Sequence, residues 1–248
     1  MNQPVKAVVL AAGKGTRLQT EGITLPKVMR QAAGKPLLHY VLQALSFLPQ
    51  EDVILVVGYG KDDVLSAYPD YPHAEQTEQK GTGHAVASAA QLLQDFAGDV
   101  LVCCGDMPLM KRESYEALLR RHQEEGNTCT LLSGVAEEEL PYGRVLRDAG
   151  GNFSHIVEDK DATPEEKAVR ELNAGVYVFR CQPLLEALKH LRCENAQGEY
   201  YLTDVPALLM AEGGKVDACP ACTPREMLGV NTPRQLMEVE TILNGKEG

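Results

Sequence analysis

A chain of 248 residues with 44% hydrophobic side chains can bury one large core or two small ones. Its 24 basic and 35 acidic residues leave a net charge of −11, which argues against a protein that holds nucleic acid by broad phosphate neutralisation. Any anion site must then be a local basic pocket.

With no Trp and only four Phe, the core must be built from Val, Leu, Ala and Ile. Seven cysteines, an odd number without regular spacing, suit a reducing compartment better than a disulfide framework. The pair Cys219 and Cys222 has redox or zinc spacing, but no companion pair or histidine at matching spacing completes it. The six consecutive apolar residues 7–12 are too few for a signal peptide or a membrane span, so a cytoplasmic protein without nucleic-acid or membrane partners is expected.

Residues 6–10 predict a first strand. Residues 53–57, stopped by Gly58-Tyr59-Gly60, and residues 100–104, stopped by Gly105-Asp106, predict two more. Between and after them, residues 36–45, 85–96 and 112–125 carry apolar side chains at helical spacing. Strands alternating with helices are the pattern of a parallel sheet with crossover helices, which gathers ligands at the carboxyl ends of its strands. The second half reads differently. Shorter strands at 128–136, 143–147, 153–158 and 174–179 suggest an antiparallel or mixed extension, followed by helices at 182–191, 203–211 and 233–243. The runs Glu137-Glu138-Glu139 and Glu165-Glu166 read as solvated faces.

After the first strand, Leu10-Ala11-Ala12-Gly13-Lys14-Gly15-Thr16-Arg17 offers small residues whose backbone N–H groups can approach an anion. A P-loop is excluded because Lys14 precedes Gly15 instead of Ser or Thr. A dinucleotide fingerprint is excluded because Leu18 stands where its third glycine belongs. What remains is a glycine loop with three cations, Lys14, Arg17 and Lys27, able to compensate a triphosphate.

This loop, followed by Leu25-Pro26-Lys27, closely resembles the opening of the sugar nucleotidyltransferase superfamily. Further motifs follow in order: Gln76 to Ala85, Gly105-Asp106-Met107-Pro108-Leu109, Tyr142-Gly143-Arg144, Val157 to Ala162, Glu171 to Gly175, Gln197 to Asp204, and Gly229-Val230-Asn231. Together they resemble the uridyltransferase half of the bacterial bifunctional N-acetylglucosamine-1-phosphate uridyltransferases and glucosamine-1-phosphate acetyltransferases.

The resemblance implies an α/β fold with a Rossmann-like, mostly parallel mixed sheet flanked by helices and a smaller antiparallel sugar-binding extension. It implies a nucleotidyltransferase domain over 1–231 and a closing helix or linker over 232–248. The hexapeptide β-helix of the bifunctional relatives is not expected within these 248 residues; the oligomeric state stays open, a trimer being implied only if a longer parent protein carries that domain. The implied reaction joins UTP and N-acetylglucosamine 1-phosphate into UDP-N-acetylglucosamine, releases pyrophosphate, uses Mg²⁺ and feeds cell-wall precursor synthesis. A glucose-1-phosphate uridylyl- or thymidylyltransferase, or a UDP-sugar sensor without catalysis, stays open as an alternative.

By resemblance, Leu10, Ala11, Ala12, Gly13, Lys14 and Gly15 hold the nucleotide, and Lys27 meets its phosphates. Gln76 reads the base through one donor and one acceptor, while Gly81 and Thr82 contact the nucleoside. Asp106 and Asn231 are the implied metal ligands, with Arg17 and Lys27 opposing charge in catalysis. The sugar side comprises Cys104, Gly105, Asp106, Gly143, Glu158, Asn173, Thr203 and Asn231, with Glu158 accepting sugar hydroxyls, Asn173 meeting the N-acetyl group and Thr203 supporting the sugar phosphate. Three departures from the family pattern stand out: Cys104 where an aromatic residue is common, a long segment at 19–24, and Thr232-Pro233 after Asn231.

Overall fold

The computed structural model describes residues 3–18 and 25–245, so the departure at 19–24 lies outside the described residues. In chain order the strands are β1 (Val5–Leu10), β2 (Gln31–Ala32), β3 (Lys35–Pro36), β4 (Val53–Val57), β5 (His73–Glu75), β6 (Asp99–Cys104), β7 (Cys129–Val135), β8 (Arg144–Arg147), β9 (Phe153–Val157), β10 (Glu171–Arg180) and β11 (Val216–Cys219). The helices are α1 (Leu37–Ala44), α2 (Lys61–Ala67), α3 (Thr82–Ser88), α4 (Ala90–Leu93), α5 (Arg112–Glu125), α6 (Pro164–Lys167), α7 (Cys181–Leu188), α8 (Val205–Ala211) and α9 (Pro233–Asn244).

The main sheet runs β11-β7-β10-β6-β1-β4-β5. Every neighbouring pair along it is parallel except those made by β10, which runs antiparallel to both β6 and β7. Leu10 pairs with Val56 on one side and Cys104 on the other, so the carboxyl ends of β1, β4 and β6 finish side by side. Because β10 is reversed, its amino-terminal residues reach that same end. A separate two-stranded antiparallel sheet joins β2 to β3.

The continuous apolar runs are explained by burial on both faces of the sheet. Ala7 and Val9 of β1 join a core with Leu38 and Val41 of α1 and with Tyr115 and Leu118 of α5. Val8, pointing the other way, joins Val86 of α3, Leu184 of α7 and Val205 and Leu209 of α8. Each such aliphatic side chain contributes about 1.5–3 kcal/mol by leaving water.

The structure redraws several predicted elements. The helix expected over 85–96 starts earlier, at Thr82, and is interrupted at Ala89. The strand expected over 174–179 lengthens to ten residues with a register shift between Asn173 and Tyr177, where Gly175 has φ 69°. Most of the anticipated extension belongs to the main sheet, because β7, β10 and β11 continue it; the β8–β9 hairpin, joined to β10 at Leu172 and Arg144, is its antiparallel outgrowth. The closing helix α9 docks on the body of the fold, where Val239 and Leu243 pack with Leu18, Leu37, Leu109 and Val230. Thr232-Pro233 suits that start: the Thr232 hydroxyl accepts from the N–H of Gln235 at 3.3 Å, and proline occupies the first turn.

Candidate active site

The carboxyl end of the parallel strands opens into two adjoining cavities. The smaller, about 260 Å³, is lined by the glycine loop, by Gln76, Gly81 and Thr82, and by Lys27, Cys104 and Asp106. The larger, about 1410 Å³, is lined by Arg17, Tyr142, Glu158, Asn231 and the start of α9. Lys27 and Asp106 line the smaller cavity and Asn231 the larger, and the contacts among these three side chains form a wall between the two.

At that wall the Lys27 ammonium donates to Asn231 Oδ1 at 2.7 Å and forms an ion pair with Asp106 Oδ2. Asp106 follows directly from the turn after β6, whereas Asn231 comes from 125 residues further along (231 − 106). Two backbone contacts fix this closure. The N–H of Gly105 donates to the carbonyl of Leu10 at 2.9 Å, and the N–H of Val230 donates to the carbonyl of Asp106 at 3.0 Å. A methyl group placed on Gly229 would sit 3.6 Å from both Asp106 Oδ2 and Asn231 Nδ2, which measures how closely the two side chains share one cleft. Lys27 is admitted to it by Gly15, whose φ is +63° and whose substitution by any side chain would put Cβ 2.7 Å from Lys27 Cβ.

The glycine loop leaves its backbone open. Ala11 is tied to β4 through the Val56 carbonyl at 2.8 Å, and the carbonyl of Ala12 accepts from the N–H of Tyr59 and from Gln79 Nε2. For Ala12, Gly13, Lys14 and Gly15 no hydrogen bond of the backbone N–H is found among the described residues. A Cβ on Gly13 would meet nothing within 4 Å, so an anion could lie against that backbone. The three predicted cations do not meet at one point. Lys27 sits at the wall, Lys14 places its ammonium 5.4 Å from the Tyr59 ring centroid, and the exposed Arg17 faces the larger cavity.

In the smaller cavity, Gln76 is 5% exposed. Its Nε2 donates to the Gly81 carbonyl at 3.1 Å and lies 3.1 Å from His84 Nδ1. The Thr82 hydroxyl accepts from the N–H of Leu202, linking the start of α3 to the segment that carries Thr203.

On the other side, the Thr203 hydroxyl donates to Glu158 Oε1 at 3.0 Å, so its proton orients that carboxylate. Burial pushes the Glu158 carboxyl above its ordinary range; the Thr203 hydrogen bond opposes this, and Asp161, Asp204 and Asp159 reinforce it. Asn173 is tied by its N–H to the Gly143 carbonyl at 2.8 Å, and its Nδ2 donates to the Tyr177 hydroxyl at 2.7 Å. Burial also raises the Cys104 thiol, with the Asp106 charge adding to the effect, which keeps it protonated at neutral pH.

Three residues absent from the sequence-level site belong to its frame. Arg144 is fully buried, bonds to the Tyr142 carbonyl, and reaches Asp159 Oδ1 at 2.9 Å, tying the Gly143 turn to the Glu158 segment. Tyr177 orients Asn173, and His84 touches Gln76. Arg144 and His84 stand inside the resembling motifs, but only the fold shows which side chains they meet.

An oxygen-only pair of one carboxylate and one carboxamide, already converging on a cationic ammonium, fits a hard divalent ion that keeps water or phosphate for its other positions. Among the described residues no cluster of three or more His, Cys, Asp or Glu side chains offers a competing metal site. No helix among them is long and apolar enough to cross a membrane.

A doubly flanked α/β sheet with a glycine loop and a Lys-Asp-Asn wall at the carboxyl ends of its parallel strands is an arrangement that suits nucleotidyl transfer. A family model for the MobA-like NTP transferase domain matches residues 7–203, and the chain belongs to that family. It is similar to proteins named bifunctional protein GlmU. The Pelotomaculum thermopropionicum protein is 43% identical over 238 residues, covering 96% of this chain and 51% of that protein. The Methylococcus capsulatus protein is 45% identical over 240 residues, with 96% and 51% covered. That from Geobacillus thermodenitrificans is 42% identical over 243 residues, with 97% and 52% covered. The chain thus spans about half the length of the curated relatives it matches.

Proposed function

We propose that this domain transfers the UMP group of UTP to the phosphate of N-acetylglucosamine 1-phosphate, forming UDP-N-acetylglucosamine and pyrophosphate. The observation that carries the reading is the wall of Lys27, Asp106 and Asn231, standing between a pocket floored by Gln76 and one lined by Glu158. A nucleotide bound on one side and a sugar phosphate on the other would meet their phosphates there.

The attacking atom is a phosphate oxygen, already anionic near neutral pH. It forms a bond to the α-phosphorus while the bond to the bridging oxygen of pyrophosphate breaks. No serine, cysteine or general base is required, so the protonated Cys104 thiol is not a nucleophile. The difficulty is holding two polyanions together in line and countering charge on the leaving group. In this reading the N–H groups of residues 12–15 hold the triphosphate, Lys27 neutralises it and Arg17 approaches from the sugar side. Asp106 and Asn231 would hold Mg²⁺, which when bound supplies charge neutralisation to the phosphates.

Glu158, steadied by Thr203, accepts sugar hydroxyls, while Asn173, steadied by Tyr177, borders the amino-sugar. The test is a matrix of UTP, CTP and dTTP against N-acetylglucosamine 1-phosphate and glucose 1-phosphate, reading pyrophosphate release with and without Mg²⁺. UTP with the acetylated sugar should lead. Preference for dTTP or glucose 1-phosphate would replace the proposed substrates, and binding of UDP-sugar without any release would replace catalysis with sensing.

A further inference from the structure

We infer that His84 sets the base specificity of this site by locking the Gln76 carboxamide so that its oxygen, and not its nitrogen, is open to the base. The inference rests on the uridyl-transfer reading and deepens it. A backbone carbonyl can only accept, so the Gln76 atom 3.1 Å from the Gly81 oxygen must be the amide nitrogen. That nitrogen carries two hydrogens. One is committed to Gly81, and the other points at His84 Nδ1, also 3.1 Å away. Nδ1 can receive it only as a lone pair, which requires a neutral ring with its proton on Nε2. Both donors of Gln76 are then engaged, and among the described residues no donor reaches its Oε1.

An acceptor facing position 3 of the base discriminates by sign. Uracil presents N3–H, a donor, whereas cytosine presents N3 as an acceptor, so the two oxygen and nitrogen lone pairs would oppose one another. The sequence alone suggested that the amide supplies both a donor and an acceptor to uracil. The structure assigns it the acceptor role only, and leaves O4 to another donor. The N–H of Gly81, for which no hydrogen bond is found among the described residues, stands in the same pocket wall. The left-handed φ of Gly81, +103°, belongs to this arrangement, because a side chain there would run into the Tyr200 carbonyl at 2.7 Å. Thymine shares the N3–H edge, so this lock does not separate UTP from dTTP.

His84 is a positioning residue, acting through Gln76. His84→Phe keeps a ring of similar size but has no acceptor. His84→Asn returns an acceptor to the position of Nδ1. With N-acetylglucosamine 1-phosphate as co-substrate, His84→Phe should lower the ratio of kcat/KM for UTP over CTP by about 10-fold, the size of one lost hydrogen-bond discrimination. The KM for the sugar phosphate should be unchanged, and His84→Asn should recover part of the ratio. An unchanged ratio in His84→Phe, or an equal loss in both variants, would overturn the lock.

The ring tautomer, read from the 15N chemical shifts of His84 in the unsubstituted protein, decides independently of any variant's folding: the Nε2–H form supports the lock and the Nδ1–H form overturns it. Failure of the underlying reading looks different. A protein that releases pyrophosphate with neither UTP nor CTP loses the proposed reaction, and the tautomer still answers for the lock.

Discussion

Strand β6 carries an aspartate at its start and another just past its end, and the two have opposite surroundings. Asp99 is fully buried. Gln123 donates to its Oδ2 at 3.0 Å, while the His122 ring stands 3.5 Å and the Arg180 guanidinium 3.8 Å from Oδ1. His122 in turn meets Thr130 at 3.0 Å, and Asn127 donates to the same hydroxyl. Asp106 is also near a cation, but its cation is Lys27 at the wall of two open cavities, beside an asparagine oxygen from a distant loop. At the amino end a carboxylate is enclosed by partners and locks the sheet to α5. At the carboxyl end one is left facing space that a charged ligand can fill. The same residue type at two ends of one strand is structural or chemical according to what it is allowed to face.

The sharpest way to break this contrast is to exchange the outcomes. Asp106→Ala should lower metal-dependent turnover by about 10³-fold, the scale of losing a principal charge-organising group, with the melting temperature nearly unchanged. Steady-state pyrophosphate release and a thermal melt on the same sample check both halves. Turnover near that of the parent would remove Asp106 from the chemistry.

Asp99→Ala should do the reverse. It removes the carboxylate beside the buried His122 ring and one of the two acceptors of the half-exposed Gln123, which keeps the Gln3 carbonyl, and about 1–3 kcal/mol of stability should disappear while kcat at a permissive temperature stays the same. The pH dependence adds detail. Burial alone would raise the Asp99 carboxyl, but the His122 and Gln123 contacts and the Arg180 charge outweigh it and leave it lowered. A lowered carboxyl contributes stability that is present above its unfolded value of about 3.9 and is lost as pH falls through the folded value. Denaturant midpoints below about pH 4 should therefore fall less steeply in Asp99→Ala than in the parent protein.

These two aspartates also show what was legible in the sequence. Asp106 stood in a Gly-Asp turn after an apolar run, so its place at the carboxyl end of a parallel strand could be read directly. Asp99, preceded by glycine and followed by valine, carried no signal beyond a strand start. Its partners come from α5 and β10, and no local pattern records such a meeting. The same holds elsewhere. Strands β1, β4 and β6 were readable because burial on both faces demands continuous aliphatic runs. Helix α2, Lys61–Ala67, was missed because only Val64 in it is buried, and β5 was missed because the three residues after Pro72 are too few to show a period. That β10 is the reversed strand, and so delivers Asn173 to the site, is a fact of topology.

A smaller disturbance tests whether the open end depends on backbone room as well as charge. Gly15→Ala would place a methyl 2.7 Å from Lys27 Cβ at a residue held at φ +63°, so either the loop or the lysine must move. Displacing the lysine by a fraction of an ångström should lower kcat by about 10-fold, below the effect of removing Asp106, because the charge survives in the wrong place. Retained kcat would show that Lys27 tolerates relocation and that its exact seat is unimportant.

The least effect, and the finest division between the two ends, is expected at Glu158. Its carboxyl is raised chiefly by burial, so the protonated form is favoured in the folded protein. A raised carboxyl contributes stability that is fully present below its unfolded value of about 4.3 and is lost as pH rises through the folded value. At neutral pH the ionised side chain is therefore a liability to the fold, unlike Asp99, whose charge is matched. Glu158→Gln keeps an oxygen for the Thr203 hydroxyl while removing the charge. The ligand-free variant should melt about 1–2 °C higher than the parent at pH 7 and no higher at pH 4. It should also raise the KM for the sugar phosphate and leave that for UTP alone. A melting temperature that drops at pH 7 would mean that the carboxylate is held by the fold itself, and would place Glu158 with Asp99 among residues whose charge serves structure.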